Sequence, residues 1–340
     1  MYATALKRIS PHELEVALLP ALDPLGASTP LPYHHVLFPY GFPVHIKTND
    51  QGIIRAAEQS WAVFPQRFRE SPLQMRIVVS ESSTTRRPPI PVIRAQANLL
   101  TMVADSQNFG SCDLASGFGF ASLSKAAVLN RDYLRYHFIE GLVYALLDTQ
   151  HVVAVHAACV VKDGHGVLLV GRSGAGKSSL AYACARRGWT YVSDDATCLV
   201  RRRPGRQVLG NPHCFRFRPT AAALFPELRG RVKLRNGKPS VEIRTEGLAH
   251  LLTANECTVD YVVFLDRRAE PAGPAHLTPL SEEECLRGLF CSPWPPELPI
   301  HQERLAAVER LLKARLYRME YLEFDPAIDL LEQTIRGVSE

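Results

Sequence analysis

Long apolar runs are missing from this 340-residue chain. No stretch approaches the roughly 18 residues that cross a bilayer, so no membrane-embedded protein is expected. The N-terminal Met1-Tyr-Ala-Thr-Ala-Leu-Lys-Arg8 lacks the apolar core of a secretory signal, and the expected location is the cytoplasm. The eight cysteines never form a C-x-x-C pair. Their scatter argues against zinc and against a disulfide framework, and for buried free thiols such as Cys159 and Cys184. There is no internal repeat, no L-S-G-G-Q signature of a transporter ATPase and no guanine-reading N-K-x-D. Acid is scarce in one place. From Arg201 to Lys238 there are eleven basic residues and one acid, Glu227, although the whole chain carries only +5.

An apolar content of 46% and a charged content of 21% describe a soluble globular protein, and 340 residues suit two domains. The most informative text is Gly171-Arg-Ser-Gly-Ala-Gly-Lys-Ser178, which satisfies G-x-x-x-x-G-K-[ST] at every fixed position. Val167–Val170 before it reads as a buried strand. Ser179–Arg187 after it reads as a helix, with Gly188 placed to cap it. Strand, loop and helix in that order aim successive backbone N–H groups and a helix N-terminus at one anion. Residues Gly171, Arg172, Ser173, Gly174, Ala175, Gly176, Lys177, Ser178 and Ser179 are therefore expected to hold a nucleoside triphosphate. Lys177 would meet the β/γ-phosphates and the Ser178 hydroxyl a Mg²⁺ ion.

Asp194 and Asp195 end the apolar run Thr190-Tyr-Val-Ser193, seventeen residues after Lys177. Alone, the pair could simply close a strand in a turn. Beside a phosphate loop, two carboxylates can divide the work of phosphoryl transfer, one orienting the acceptor hydroxyl and one serving the metal. His156, among Val155, Ala157 and Ala158, reads either as a core residue or as a group reaching the site from a neighbouring strand.

The order His156, Gly171–Ser178, Arg186-Arg-Gly188 and Val192-Ser-Asp-Asp195 resembles the catalytic domain of the HPr kinase/phosphorylase family and its related serine kinases, over residues 151–200. The resemblance implies an α/β fold: a carboxykinase-like P-loop kinase domain (151–340) preceded by a smaller α/β domain (1–150) for substrate recognition or assembly. It implies ATP and Mg²⁺, and a protein or peptide substrate carrying an acceptor Ser. By position, Asp194 would be the base, Asp195 and Ser178 would serve the metal, Lys177 would hold phosphate, and His156 would line the acceptor side. The chain departs from the family at Ala157, where Gly follows the histidine, and at Arg172, where Asp is usual. The later Glu-x-Arg-Gly-Leu-Gly segment is matched only by Glu242-Ile-Arg-Thr-Glu-Gly-Leu248, which makes Glu242 a further metal candidate. These departures point to an acceptor other than HPr. Family members form hexamers, so the resemblance is compatible with a homo-oligomer, but nothing in the residues specifies one.

Two rivals remain at this level. A regulatory or transport ATPase would use Asp266, at the end of the apolar run Tyr261–Leu265, as its metal carboxylate; a kinase for a small-molecule hydroxyl would share the loop and the aspartates. The basic stretch could hold phosphates, an acidic protein or nucleic acid, or be a solvated hairpin around Pro204-Gly205. Phe215-Arg-Phe-Arg218 alternates as a half-buried strand with its basic residues outward, so nucleic acid is not the expected partner.

Elsewhere, strands are expected at His45–Lys47, Met75–Ser80, Gly117–Ser122, Val152–Val161, Asp260–Asp266 and Tyr317–Phe324. Helices are expected at Gln51–Trp61, at Arg131–Leu147 capped by Asn130, at Ile300–Leu316 and at Pro326–Ile335. A capping box is expected at Ser281 and Glu284, a turn at Lys162–His165 and a loop at Ser80–Pro91.

Overall fold

The computed structural model describes residues 28–230, 232–235, 238–248, 250–268, 273–289, 294, 298 and 300–337. Met1–Arg8, Cys291 and most of Ser292–Pro299 lie outside the described residues. Among those described, the chain is a mixed α/β protein with three sheets, and no helix is long and apolar enough to cross a membrane.

The first sheet takes β1 (Tyr33–Leu37), β2 (Val44–Thr48), β3 (Leu73–Ser80), β4 (Val92–Gln96), β5 (Leu99–Val103), β6 (Phe109–Asp113) and β7 (Phe118–Ser124), in the order β1-β2-β3-β7-β6-β5-β4. The helix Gln51–Trp61 makes the crossover that lets β2 and β3 run parallel. It buries Ile53, Ala56, Ala57 and Trp61 against the sheet. Residues 131–150 add a second helical segment, in which Leu134–Glu140 has π-type geometry. Asn130 precedes it but does not cap it. Its side-chain amide donates to Ala126 O (2.8 Å) and Thr85 O (3.2 Å), because the preceding short helix Lys125–Leu129 offers it carbonyls first.

The second sheet begins with β8 (Val152–Val155), β9 (Ala157–Lys162), β10 (His165–Val170), β11 (Thr190–Ser193), β12 (Thr197–Val200) and β13 (Gln207–Leu209). A small antiparallel sheet follows, of β14 (Cys214–Phe217), β15 (Val232–Arg235) and β16 (Lys238–Arg244). The chain then returns to the second sheet with β17 (Glu256–Arg267), β18 (His276–Pro279) and β19 (Arg315–Tyr321). β17 runs parallel to β10 on one side and to β19 on the other. Both faces of these parallel strands are covered, which is why β10 is an unbroken apolar run. Val167 and Leu169 join the core beneath the helices Lys177–Arg186 and Phe324–Arg336. Leu168 and Val170 join the core beneath Glu282–Leu289 and Ile300–Glu309. Each such side chain contributes about 1.5–3 kcal/mol on burial.

Three expectations are corrected here. Val152–Val161 is not one strand: it breaks at His156, because β8 pairs with β12 while β9 pairs with β10 and β11. The helix from Ile300 ends at Glu309, tightens to a 3-10 turn at Arg310–Lys313, and gives way to β19. Arg315 and Leu316, expected at the end of that helix, instead pair with Tyr261 and Val262 of β17 and extend the expected strand backwards, while the strand stops at Tyr321 and not at Phe324. Arg201 is buried instead of solvated at a hairpin tip. Its guanidinium donates to Thr149 O and Gln150 O at the end of the helix Gly141–Gln150, where orphan carbonyls and the helix dipole favour a cation.

Other readings hold. Asp163 and Gly164 (φ 49° and 84°) form the tight turn between β9 and β10. Ser281 and Glu284 make a reciprocal capping box, Ser281 N–H donating to Glu284 Oε2 (3.2 Å) and Glu284 N–H to Ser281 Oγ (3.3 Å). The seven described cysteines are free thiols, Cys159 and Cys184 among the buried ones. The two halves are tightly joined. The core of the first sheet continues onto Val152, Cys198, Val200 and Leu209, and the buried Arg304 pairs with Asp148 at 2.7 Å.

Candidate active site

β10 ends at Val170 and the helix Lys177–Arg186 starts after the six-residue loop Gly171–Gly176. Gly176 lies at φ +94°, and a Cβ there would come within 2.3 Å of the Tyr321 hydroxyl. That hydroxyl, at the end of β19, donates to Ala175 O (3.0 Å), so the neighbouring strand holds the loop in shape. No side chain caps the helix. Its first-turn N–H groups, at Lys177, Ser178 and Ser179, have no intrahelical partner by helix geometry. Lys177 is 7% exposed and folds back over the loop, its Nζ donating to Gly171 O (2.8 Å) and Arg172 O (3.4 Å). Burial pulls its pKa down, and the carboxylate of Asp195 opposes that.

The loop opens on a cleft of about 300 Å³ that also carries His156, Asp195, Arg216, Arg218 and Arg267. Arg218 donates to Ser173 Oγ at 2.5 Å. Three arginines beside one lysine make the cleft a strongly cationic place, suited to a polyphosphate. Sequence reasoning put the basic residues of Phe215-Arg-Phe-Arg218 on the outward face of a strand, which is where they are: Phe215 and Phe217 are buried. It missed that this outward face is turned toward the loop. Arg267 and Tyr321 were missed as well, since each reaches the loop only through the strand order β10-β17-β19.

The bend after β11 carries the two aspartates, braced below by Ser193 Oγ, Thr197 Oγ1 (2.6 Å) and Ala157 O (2.9 Å from Thr197 Oγ1). Asp194 turns inward and is 6% exposed. Its Oδ2 accepts from Arg216 N–H (2.6 Å), and its carbonyl accepts from Ser178 Oγ (3.3 Å), which ties the bend to the loop helix. Burial pushes the Asp194 carboxyl up to about 7, against the pull of the Arg216 backbone N–H and guanidinium. Asp195 turns outward, its side chain 56% exposed, and meets His156 Nδ1 at 3.1 Å. That hydrogen bond, more than any other influence, holds the Asp195 carboxyl below the usual range. Adjacent in sequence, the two carboxyls have opposite environments.

His156 is exposed at the break between β8 and β9, outside the apolar core. The structure thus gathers Lys177, Ser178, His156 and Asp195 around one cleft, with Asp194 directly behind. Glu242 does not line that cleft. It pairs with Arg216 across the β14–β16 ladder, 3.7 Å from its Nε, and lines a groove on the far side of that arginine. Asp266 is exposed and also lies outside the cleft lining. Its neighbours Leu265 and Arg267 occupy the loop-side face of β17, so alternation sends Asp266 to the other face.

Among the described residues, no three His, Cys, Asp or Glu side chains come together as a metal cage. Ser178 and Asp195 could supply two oxygens to a cation whose other ligands were phosphate oxygens and water. That donor set fits Mg²⁺, which keeps several waters and takes one or two protein oxygens beside substrate phosphates.

A family model described as the SynChlorMet cassette protein ScmC matches residues 129–245, about a third of the chain. The matched span contains the loop, both aspartates, Arg216 and Glu242. The putative HPr kinase/phosphorylase 2 of Oceanobacillus iheyensis is 45% identical over 49 residues, 14% of this chain. The chain spans about a sixth (16%) of that relative's length. The solved HPr(Ser) kinase/phosphatase from Coxiella burnetii is 18% identical, over 55% of this chain and 99% of that one, with a TM-score of 0.29. The local sequence match supports an HPr-kinase-like relationship.

Proposed function

We propose that the protein is an ATP-dependent serine kinase that passes the γ-phosphate of ATP to a Ser hydroxyl of a protein or peptide in the cytoplasm. Residues 151–340 would form a carboxykinase-like P-loop catalytic domain, and residues 1–150 an α/β domain on the acceptor side. The observation that carries the reading is the pair Asp194 and Asp195. Their environments push the two carboxyls apart beside an uncapped helix N-terminus, and such a split assigns acid–base roles.

Asp194, which titrates near neutrality, accepts the proton of the seryl Oγ as that oxygen bonds to the γ-phosphorus. The bond from phosphorus to the bridging oxygen breaks, and ADP leaves with the electron pair. Asp195, kept ionised by His156, faces the cleft with Ser178, where both can serve the metal. Mg²⁺ bound there would neutralise the phosphate oxygens. Lys177 and the N–H groups of the helix start hold the polyphosphate, and Arg216, Arg218 and Arg267 add positive charge around it.

The test is γ-labelled ATP with Mg²⁺, offered with an HPr-type protein and with a total cell extract, wild type beside Asp194→Asn. Label on a polypeptide with wild type alone is the expected outcome. Label released only as free phosphate by both proteins would replace the kinase with an ATPase.

A further inference from the structure

A second cavity, of about 230 Å³, lies behind the aspartates. Tyr40, Tyr144 and Leu147 of the first half line it, with Val152, Cys198 and Asp194 of the second. Asp194 lines this cavity and not the loop cleft. Lys177 and Ser178 line the cleft and not the cavity. With the proton acceptor in one chamber and the polyphosphate cradle in the other, the phosphoryl group must pass where the two chambers meet.

Two residues line both chambers, Asp195 and Arg216. They differ in what they can offer a phosphoryl group. A carboxylate repels phosphate oxygens unless a cation stands between them. A guanidinium presents a planar fork of N–H donors that fits two such oxygens at once. At the junction, that leaves Arg216 to contact the transferring group directly.

The three arginines of the loop cleft are held differently. Arg218 is engaged by the loop itself, donating to Ser173 Oγ. Arg267 donates to Leu322 O (3.2 Å), and its guanidinium lies 4.6 Å from the centre of the Phe324 ring. Arg216 has a looser partner. Glu242 Oε2 stands 3.7 Å from its Nε, and that shielded Nε makes no hydrogen bond among the described residues. Glu140, from the first half, adds its negative charge on the same side. The Arg216 backbone is fixed more firmly, its N–H donating to Asp194 Oδ2 (2.6 Å). The base and the guanidinium are therefore placed by one strand residue.

Resting on the kinase reading, we propose that Arg216 is a catalytic residue whose guanidinium binds the γ-phosphoryl oxygens in transit, while Arg218 and Arg267 hold the bound nucleotide. The seryl Oγ–phosphorus bond forms as the bond from phosphorus to the bridging oxygen breaks. Asp194 takes the proton, ADP keeps the electron pair, and Arg216 offsets the charge spread over the equatorial oxygens. A contact made in the transition state and not in the ground state speeds transfer without tightening ATP binding.

The test compares Arg216→Ala with Arg218→Ala in the full-length protein, with Mg²⁺, γ-labelled ATP and the total cell extract as the source of acceptor. Two quantities are read: the labelling rate at saturating Mg-ATP, and Mg-ATP affinity by calorimetric titration without acceptor. Arg216→Ala should label about 10³-fold more slowly with its affinity within about threefold of wild type. Arg218→Ala should lose about tenfold in affinity and less than that in rate. Millimolar guanidinium should restore labelling by Arg216→Ala at least about tenfold and do nothing for Arg218→Ala, a rescue that a merely structural arginine would not show. Should Arg216→Ala fail to fold, Arg216→Lys keeps the charge and much of the bulk and decides the matter. It should bind Mg-ATP normally and still label at least about tenfold more slowly, because it lacks the fork. A wild-type rate in either Arg216 variant would overturn the proposal. So would an affinity loss in Arg216→Ala as large as its rate loss, or a failure of guanidinium to rescue it; the kinase reading would stand in each case. Wild type that labels no polypeptide at all would overturn the kinase reading itself.

Discussion

The chain builds the same supersecondary unit twice and finishes it in opposite ways. In the first half, β2 passes through Asn49 and Asp50 into the helix Gln51–Trp61. In the second, β10 passes through Gly171–Gly176 into the helix Lys177–Arg186. Both strands pair in parallel with a neighbour, and both helices pack on their sheets. The first helix is closed by its own chain. Asp50 Oδ1 accepts from Gly52 N–H at 2.7 Å, and Lys125 pairs with the other oxygen. The second helix has a glycine where the cap would be, and its first N–H groups face a cationic cleft. A helix start satisfied by an internal carboxylate is a structural device. The same start left open and surrounded by lysine and arginine is suited to an anion from outside.

Altering one unit while sparing the other breaks or sharpens this contrast. The largest effect is expected at the carboxyl behind the open helix. Asp194→Asn keeps the cradle and removes the base, so phosphate transfer should fall by about 10²–10⁴, read as initial rates with labelled ATP while nucleotide binding persists. Normal transfer by that variant would make Asp194 a structural residue. Lys177→Ala should cost about 10²–10³ in ATP turnover, the scale of losing one well-placed cationic or N–H donor. Retained turnover would remove the phosphate loop from the mechanism.

Asp194 also predicts a stability signature. Its carboxyl titrates near 7 in the folded protein and near 3.8 when unfolded, so the folded state binds more protons between those values. Stability should therefore decline as pH rises through that window, by at most about 4 kcal/mol from this group. In thermal melts, Asp194→Asn should raise Tm relative to wild type at pH 8, and the difference should shrink toward pH 4. A pH-independent difference would contradict the buried carboxyl.

The smallest effect belongs to the closed helix. Asp50→Ala should lower stability by about 1 kcal/mol in denaturant titrations and leave Mg-ATP affinity unchanged. A change in nucleotide affinity there would dissolve the contrast between the two units.

Local text foretold much of the frame. The helix Gln51–Trp61 was legible to the residue, because its apolar spacing and its cap both lie in sequence. The strand, loop and helix around Gly171–Ser178 were legible too, since each is set by periodicity and glycine within a few neighbours. The break at His156 was not. Val152–Val161 is uniformly apolar, and the change of partner strand depends on β12, some forty residues away. The strand expected at Tyr317–Phe324 was legible as well, and only its start was misplaced, since Arg315 and Leu316 had been read into the preceding helix.

What the sequence by itself determined is the chemical inventory and its local framing. It holds a glycine-rich turn that cannot cap its own helix, a lysine and a serine at the helix start, and two aspartates at a strand end. These follow from short-range sterics and hydrogen bonding. Only the tertiary structure decided that the two aspartates part company, one buried against the Arg216 N–H and one held at the surface by His156. It also brought Arg218, Arg267 and Tyr321 to the loop and Tyr40 and Tyr144 to the cavity behind. Burial and Coulomb attraction act through space. Groups more than a hundred residues apart in the chain, such as Tyr40 and Asp194, acquire a common environment only once the sheets have closed on each other.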